Sequence, residues 1–287
     1  MLELSIIILN YNTADLTVNC INSINDQYKK ELEEEKFEIV VVDNNSIDDS
    51  LEKLQKMKVK NLRIVKSDEN LGFSKGCNLG AKNAEGENFL FLNSDTEIKD
   101  QGFNKMVSFL KENEKIGILG GKLKNIDGTN QLSAGKFYNV FYLFLMLIGS
   151  NKLLRESPDE IKRVDWVSGA SLMIKKTLFQ KLEGFDKEIF MYVEDMELCY
   201  RALKKGFFTY FYPQIMLFHK ELGSGSRTFA ILNIYKGVLL FFRKHKSKLE
   251  YLLALLLLKT KAAVLVVLGK IINNKYLLET YSQALKI

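Results

Sequence analysis

SIIILNYNT, residues 5–13, opens with an unbroken apolar run, Ile6-Ile7-Ile8-Leu9, and closes on the polar cluster Asn10-Tyr11-Asn12. A short apolar run without alternation, bounded by turn residues, reads as a strand buried on both faces. The arrangement recurs at Phe37–Val42 before Asp43-Asn44-Asn45-Ser46, at Leu62–Lys66, and at Asn88–Leu92 before Asn93-Ser94-Asp95. Helical spacing fills the intervals Asp15–Glu35, Asp49–Met57 and Ser74–Ala84. Strands separated by helices of this length call for an α/β fold with a mostly parallel, doubly wound sheet and right-handed crossovers.

In such a sheet ligands bind beyond the carboxyl ends of the strands, so the polar clusters after the first, second and fourth strands share one rim. Singly, each is an ordinary turn or helix N-cap sequence, and Ser46 and Asp48 are expected to cap the second helix. Three clusters on one rim, two of them acidic, point to a binding site.

The second half changes character after the turn Asp127-Gly128. An aromatic run spans Phe137–Ile148, Thr177–Leu182 reads as a short helix closed by Gly184, and Asp195–Lys205 as a longer one closed by Gly206. Phe207–Tyr212 is expected to be a strand stopped by Pro213.

Composition narrows the function classes. The chain has 287 residues, is 47% hydrophobic and 26% charged, and carries three widely spaced cysteines, which suits a folded protein of a reducing compartment. Its net charge is +6, but residues 229–287 hold ten Lys and Arg against two Glu. That segment therefore carries +8 and the first 228 residues −2. A mildly acidic body gives no support to nucleic-acid binding. The N-terminus has no basic n-region and is expected to be a strand, not a signal peptide. The longest charge-free stretch, Phe137–Asn151, is shorter than the roughly 20 residues of a spanning helix, so no clean transmembrane span is expected.

There is neither a GxxxxGK[ST] loop nor a GxGxxG fingerprint. Phosphates would need another counter-charge, and Asp95 is placed to hold a cation. Glu194-Asp195 opens a helix; one acid is expected to cap it and the other to be free as a general base. His219 ends an apolar run beside Gly223-Ser224-Gly225-Ser226, as a metal ligand near a mobile lid would. The other histidine, His245, lies in a basic cluster and reads as a surface residue.

The ordered set SIIILNYNT, VVVDNNSIDDS (40–50), NLGFSKGCNLGAKNA (70–84), FLFLNSDTEI (89–98), the segment from Trp166 to Gly206 that contains VEDMELCYR, and the later His219 resembles glycosyltransferase family 2, in particular its rhamnosyltransferase-like members. The resemblance covers about residues 3–225 and implies a GT-A fold and inverting transfer of a sugar from a nucleoside diphosphate donor, dTDP- or UDP-linked, to a glycan or lipid-linked glycan. It implies that Asp43 meets the base, with Tyr11 and Asn12 lining the same pocket and Asn78 adding to the substrate site. Asn93-Ser94-Asp95 takes the DxD position, with Asp95 and His219 on Mg²⁺ or Mn²⁺. Asp195 is implied as the catalytic base beside Glu194, and Trp166, Gly169 and Ala170 as neighbours of the transferred sugar and acceptor. Asn93 departs from the family's first acid and makes the site less charged, and no QxxRW motif of processive synthases is present.

The reading divides the chain into a catalytic domain, 1–228, with a nucleotide-sugar half (1–126) and an acceptor half (127–228), and a basic helical tail, 229–287. In the tail Lys248, Lys259 and Lys270 recur every 11 residues and share a helical stripe, as an interfacial helix on anionic lipid would require. A helical hairpin packed on the catalytic domain or on a second subunit is the alternative. The expected location is cytoplasmic, peripheral on the membrane's cytoplasmic face. The rival functions are a sugar-nucleotide pyrophosphorylase and a non-catalytic sugar-nucleotide-binding scaffold.

Overall fold

The computed structural model describes residues 1–150, 154–220 and 226–287. The chain opens with β1 (Leu4–Asn10), α1 (Ala14–Glu33), β2 (Phe37–Asp43), α2 (Ser50–Gln55), β3 (Leu62–Lys66), α3 (Gly72–Lys82) and β4 (Asn88–Asn93). These follow the alternation in the sequence, with ends moved by one or two residues. Then come β5 (Thr96–Ile98), α4 (Gly102–Glu112), β6 (Ile116–Lys124), β7 (Ala134–Gly135) and α5 (Val140–Leu147). The second half continues through β8 (Arg155–Glu156), β9 (Lys162–Val164), β10 (Trp166–Val167), β11 (Ser171–Lys175), α6 (Lys176–Lys181), α7 (Glu194–Lys204) and β12 (Phe208–His219), followed by α8 (Arg227–His245), α9 (Lys248–Ile271) and α10 (Lys275–Ala284).

The main sheet runs β3-β2-β1-β4-β11-β6-β12-β5, with β9 also paired to β12. β3, β2, β1 and β4 are mutually parallel, β12 is parallel to β6, and β11 runs antiparallel between β4 and β6. The mixed but mostly parallel α/β expectation holds. A ribbon of three short strands, β10-β7-β8, stands beside the sheet. The strands of β1 and β2 are buried almost throughout, as their lack of alternation requires.

Pro213 does not stop its strand. β12 continues to His219, and its pairing with β6 jumps from Tyr212 opposite Gly121 to Met216 opposite Lys122. The bulge places proline, which has no N–H to give, where the ladder asks for none. The N–H of Met216 then donates to Asp100 Oδ2 at 2.9 Å.

The boundary drawn at residue 229 falls inside α8. Phe241 and Phe242 of α8, with Ala254 and Leu258 of α9, are buried in the same apolar core as Phe91, Phe185 and Val193 of the body. The lysine stripe is also revised. Lys259 Nζ donates to the carbonyl of Leu285, and Lys261 Nζ to that of Leu147 at 2.8 Å, so both tie α9 to its neighbours while Lys248 and Lys270 stay exposed. Contrary to the count of charge-free residues, α9 is long and apolar enough to cross a membrane by length and composition, with 22% of its apolar window buried. Along its open face run Leu249, Leu256, Val264, Val267 and Ile271, and α5, which packs against α9, leaves Phe141 and Phe144 exposed.

Candidate functional site

Register assembles the rim. Asn10 pairs with Asp43 across β1 and β2, and Leu9 with Asn93 across β1 and β4. Asn10 Nδ2 donates to Asp43 Oδ1 at 2.8 Å and to Ser46 Oγ at 3.0 Å, and the N–H of Asn12 reaches Ser46 Oγ at 3.0 Å. Ser46 is thus a cross-link between two strand ends, not the cap of α2, which begins four residues later; Asp48 does accept from the N–H of Ser50, at 3.1 Å. Asn12 and Asn45 adopt left-handed backbones, φ 53° and 63°, a conformation asparagine tolerates better than most residues. Tyr11 is half-buried in the same turn.

Asp43, the last residue of β2, is 1% exposed, and its Oδ1 is taken by Asn10. Of its two oxygens, Oδ2 has the weaker partner, the N–H of Ser46 at 3.3 Å.

Asn78 is a strut. Its Nδ2 donates to the carbonyl of Phe185 at 2.8 Å and its Oδ1 accepts from the N–H of Phe185 at 2.9 Å, so both ends of its amide fasten α3 to the acceptor half and the expected substrate contact gives way to a structural one. Asn44, from the second rim cluster, and Asn70 shape the loop before α3: Asn44 Oδ1 accepts from Leu71 N–H and Asn70 Oδ1 from Gly72 N–H, each at 3.0 Å. Gly72 has φ +73°, and a Cβ there would lie 2.5 Å from the carbonyl oxygen of Phe190.

The pairing of β5 with β12 sets His219 opposite Thr96, next to Asp95. His219 Nε2 lies 3.2 Å from Asp95 Oδ1 and 3.1 Å from Asn93 Nδ2. Ser94 Oγ lies 3.2 Å from Thr13 Oγ1, which belongs to the β1 rim. A carboxylate oxygen, an imidazole nitrogen and a turnable amide suit Mg²⁺ or Mn²⁺ whose remaining positions are filled by ligand oxygens and water. Among the described residues no three His, Cys, Asp or Glu side chains converge as a complete metal cage. The Gly/Ser loop expected beside His219, residues 223–226, lies outside the described residues except for Ser226, whose Oγ caps α8 by accepting from the N–H of Phe229 at 3.2 Å.

Glu194-Asp195 opens α7 after two left-handed residues, Tyr192 at φ 69° and Val193 at φ 73°. For a β-branched residue this is a strained backbone, of the kind that concentrates at functional sites. Asp195 Oδ2 accepts from Gly169 N–H at 3.0 Å and Oδ1 from Met196 N–H at 2.7 Å. Burial raises its pKa, opposed by those two N–H groups and by the charge of Arg155. Glu194 is buried too; desolvation, and then the charge of Asp195, push its pKa well up, and its Oε2 has no hydrogen-bond partner among the described residues. One acid ionised and its neighbour neutral is the state this pair favours.

Ala170 is buried, and its carbonyl accepts from the N–H of Asn93 at 3.2 Å, so the turn 168–170 joins the end of β4 to Asp195. Trp166 does not line the cleft: it is 5% exposed, its Nε1 donates to the Lys136 carbonyl at 3.0 Å, and its ring lies under the Arg155 guanidinium at 5.4 Å. Arg155 is the cation that the sequence reading missed, an arginine in a two-residue strand with no motif around it. His245 is no surface residue. Its Nε2 is 2.8 Å from Glu197 Oε1 and its ring packs between Tyr200 and Phe241. The cysteines supply no nucleophile, since burial pushes Cys20 and Cys199 up to about 12 and Cys77 well above its ordinary value.

A family model described as glycosyl transferase family 2 matches residues 5–174, across the rim, the Asn93–Asp95 turn and Gly169. The chain belongs to glycosyltransferase family 2. It is 26% identical over 212 residues to the low-salt glycan biosynthesis hexosyltransferase Agl10 of Haloferax volcanii, a match spanning 71% of this chain and 62% of that protein. It is 23% identical over 216 residues to the N-acetylglucosaminyl-diphospho-decaprenol L-rhamnosyltransferase of Mycobacterium tuberculosis, over 68% of this chain and 70% of that one. The fold is similar to the mannosyltransferase PcManGT of Pyrobaculum calidifontis, solved with GDP-Man and Mn²⁺: TM-score 0.61, 16% identity, 98% of this chain and 73% of that one. The expected family and the GT-A fold are both met.

Proposed function

We propose that this family 2 chain is an inverting glycosyltransferase that moves a sugar, with rhamnose as the first candidate, from a dTDP- or UDP-linked donor to a hydroxyl of a glycan or lipid-linked glycan. The observation that carries the reading is the Asp195 carboxylate, fixed by two backbone N–H groups and tied through residues 169–170 to the strand end bearing Asn93 and Asp95. Inversion needs the attacking hydroxyl and the leaving diphosphate on opposite faces of the anomeric carbon, and this turn spaces the two groups that would serve them.

In the mechanism, Asp195 takes the proton of the acceptor hydroxyl as its oxygen bonds to the anomeric carbon and the bond to the diphosphate breaks. Met196 and Gly169 keep the carboxylate aimed without satisfying all its lone pairs. Burial, and then the charge of Asp195, push the Glu194 pKa well up, which disfavours a second negative charge beside the base. Asp95 and His219 would hold Mg²⁺ or Mn²⁺, which when bound supplies positive charge to the departing phosphate oxygens. Asp43 Oδ2 would accept from the base's ring N–H, with Tyr11 and Asn12 flanking it.

Two features favour an amphipathic acceptor at a membrane. Beside the base turn a cavity of about 660 Å³ lies between residues 188–191 and α8, walled by Phe190, Phe229 and Leu232, with Lys236 and Arg243 at its edge. α9 and α5 pack together and each leaves apolar side chains exposed, and the exposed Lys248, Lys270 and Lys275 lie toward the two ends of α9. A bilayer's acyl boundary would cover such a face while anionic head groups met the lysines, which supports a peripheral position on the cytoplasmic face of the membrane as part of this proposal.

The test is a thermal-shift panel of nucleotide sugars with Mn²⁺, since a ligand that binds only the folded chain stabilises it, followed by transfer assays with the donor that shifts the midpoint. A shift with one donor and transfer lost in Asp195→Asn is the expected result. Pyrophosphate release from a nucleoside triphosphate and sugar phosphate would establish the pyrophosphorylase instead, and donor binding without transfer or donor hydrolysis would establish a binding scaffold.

A further inference from the structure

The hairpin after β6 ends beneath His219, and its hydrogen bonds have a forced direction. Thr129 Oγ1 lies 2.6 Å from Asp127 Oδ1, and because the carboxylate can only accept, the hydroxyl must donate to it. That hydroxyl's lone pair then accepts from Asn125 Nδ2 at 2.8 Å, which turns Asn125 Oδ1 toward Gln131. Gln131 Nε2 donates to Asn125 Oδ1 and to the backbone carbonyl of His219, both at 2.7 Å. The remaining end of the amide, Oε1, faces His219 Nδ1 at 2.9 Å, so Nδ1 must carry a proton. Gln131 is buried, and no step in this chain reverses without leaving two donors or two acceptors face to face.

We infer that Gln131 is a positioning residue that fixes His219 in its Nδ1–H form and so turns the Nε2 lone pair toward Asp95. With Nδ1 carrying the proton, the neutral ring presents only an acceptor on the side of Asp95 Oδ1, 3.2 Å away, and Asn93 Nδ2, 3.1 Å away. Two electron-pair donors at that separation are what a divalent cation requires, and Asn93 covers the lone pair with an N–H until the cation arrives. The signal in the sequence is Asp127-Gly128, read only as a turn; Gly128, at φ +83°, folds the hairpin that returns Gln131 to His219.

The inference rests on the reading that Asp95 and His219 hold the metal, and two measurements separate the parts. The first is the ¹H–¹⁵N spectrum of the histidine rings in the metal-free full chain, at a pH where they are neutral. The protein has only two histidines, so His219 is assigned by comparison with His245→Gln. An Nδ1–H pattern for His219 in the wild type, replaced by a mixture in Gln131→Leu, is expected; an Nε2–H pattern in the wild type overturns the proposal whatever the metal does. The second is Mn²⁺ affinity by electron paramagnetic resonance. Gln131→Leu should bind about 10 to 100 times more weakly, the usual cost of losing such a partner. Equal affinity in the two proteins would overturn the positioning role. A wild type with the Nδ1–H pattern but no Mn²⁺ binding would leave the relay standing and remove the metal from the proposed mechanism.

Discussion

Gly169 donates its backbone N–H to Oδ2 of Asp195 at 3.0 Å, while the carbonyl of the next residue accepts from the strand end that carries Asn93. One turn therefore positions both Asp195 and the end of β4 that bears Asn93, the two ends of the proposed site. Replacing Asp195 with Asn keeps the shape and removes proton acceptance. Transfer should fall by about 10²- to 10⁴-fold with donor affinity unchanged, measured by single-turnover rates beside calorimetric donor binding. A Cβ on Gly169 would meet only ordinary contacts at 3.5 and 3.6 Å, so Gly169→Ala should keep most activity, whereas Gly169→Pro, which removes the N–H, should not.

The acid limb of the rate profile should sit above the ordinary aspartate value of about 3.9. Burial raises the Asp195 pKa, and the base works only when ionised, so activity falls as pH drops through that raised value. An acid limb at or below the ordinary value, measured on the transfer step itself, would contradict the assignment.

Glu197 is held low. Burial alone would raise its pKa, but hydrogen bonds from His245 and Arg201 outweigh it. A depressed carboxylate stabilises the fold above its unfolded pKa and loses that contribution as pH falls through the folded value. The wild type should therefore lose thermal stability on acidification below about pH 4. Glu197→Gln should show a flatter slope there and a loss of about 3–5 kcal/mol at neutral pH, because Arg201 and His245 lose a buried partner; calorimetric scans across pH measure both.

On vesicles, the paired substitution Leu256→Glu and Val264→Glu should abolish flotation with anionic lipid while leaving the midpoint of unfolding within about 1–2 °C, since exposed positions contribute little to stability. Retained flotation, or loss of a dimer in the absence of lipid, would assign the α9 face to another partner.

The β1–β4 region was legible because each strand is a local apolar run with local punctuation, and Asp95 and Asp195 because each stands at the end of an element. His219 was found through its place after an apolar run, although the pairing that brings it to Asp95 lies more than 100 residues apart in sequence. What stayed hidden depends on partners distant in the chain. Asn78 looks like a polar site residue until Phe185 takes both ends of its amide, Trp166 until Lys136 and Arg155 enclose it, and His245 until Glu197 draws it from a basic surface run. The lysines of α9 follow a helical period, and only the positions of the Leu285 and Leu147 carbonyls show that two of them are tethers.

The left-handed pair Tyr192-Val193 has its brace in the C-terminal segment. Gly237 of α8 lies so close that a Cβ there would come 3.0 Å from the Tyr192 carbonyl oxygen and 3.1 Å from Val193 Cβ. A chain cut at residue 228 would keep every side chain assigned to the chemistry and still lose the wall that holds the base turn in its high-energy shape. The helices after β12 are thus the back half of the socket that holds Asp195, and under the proposed function a shift of α8, whether from a partner, a lipid surface or a substitution in its core-facing residues, would change where that carboxylate points.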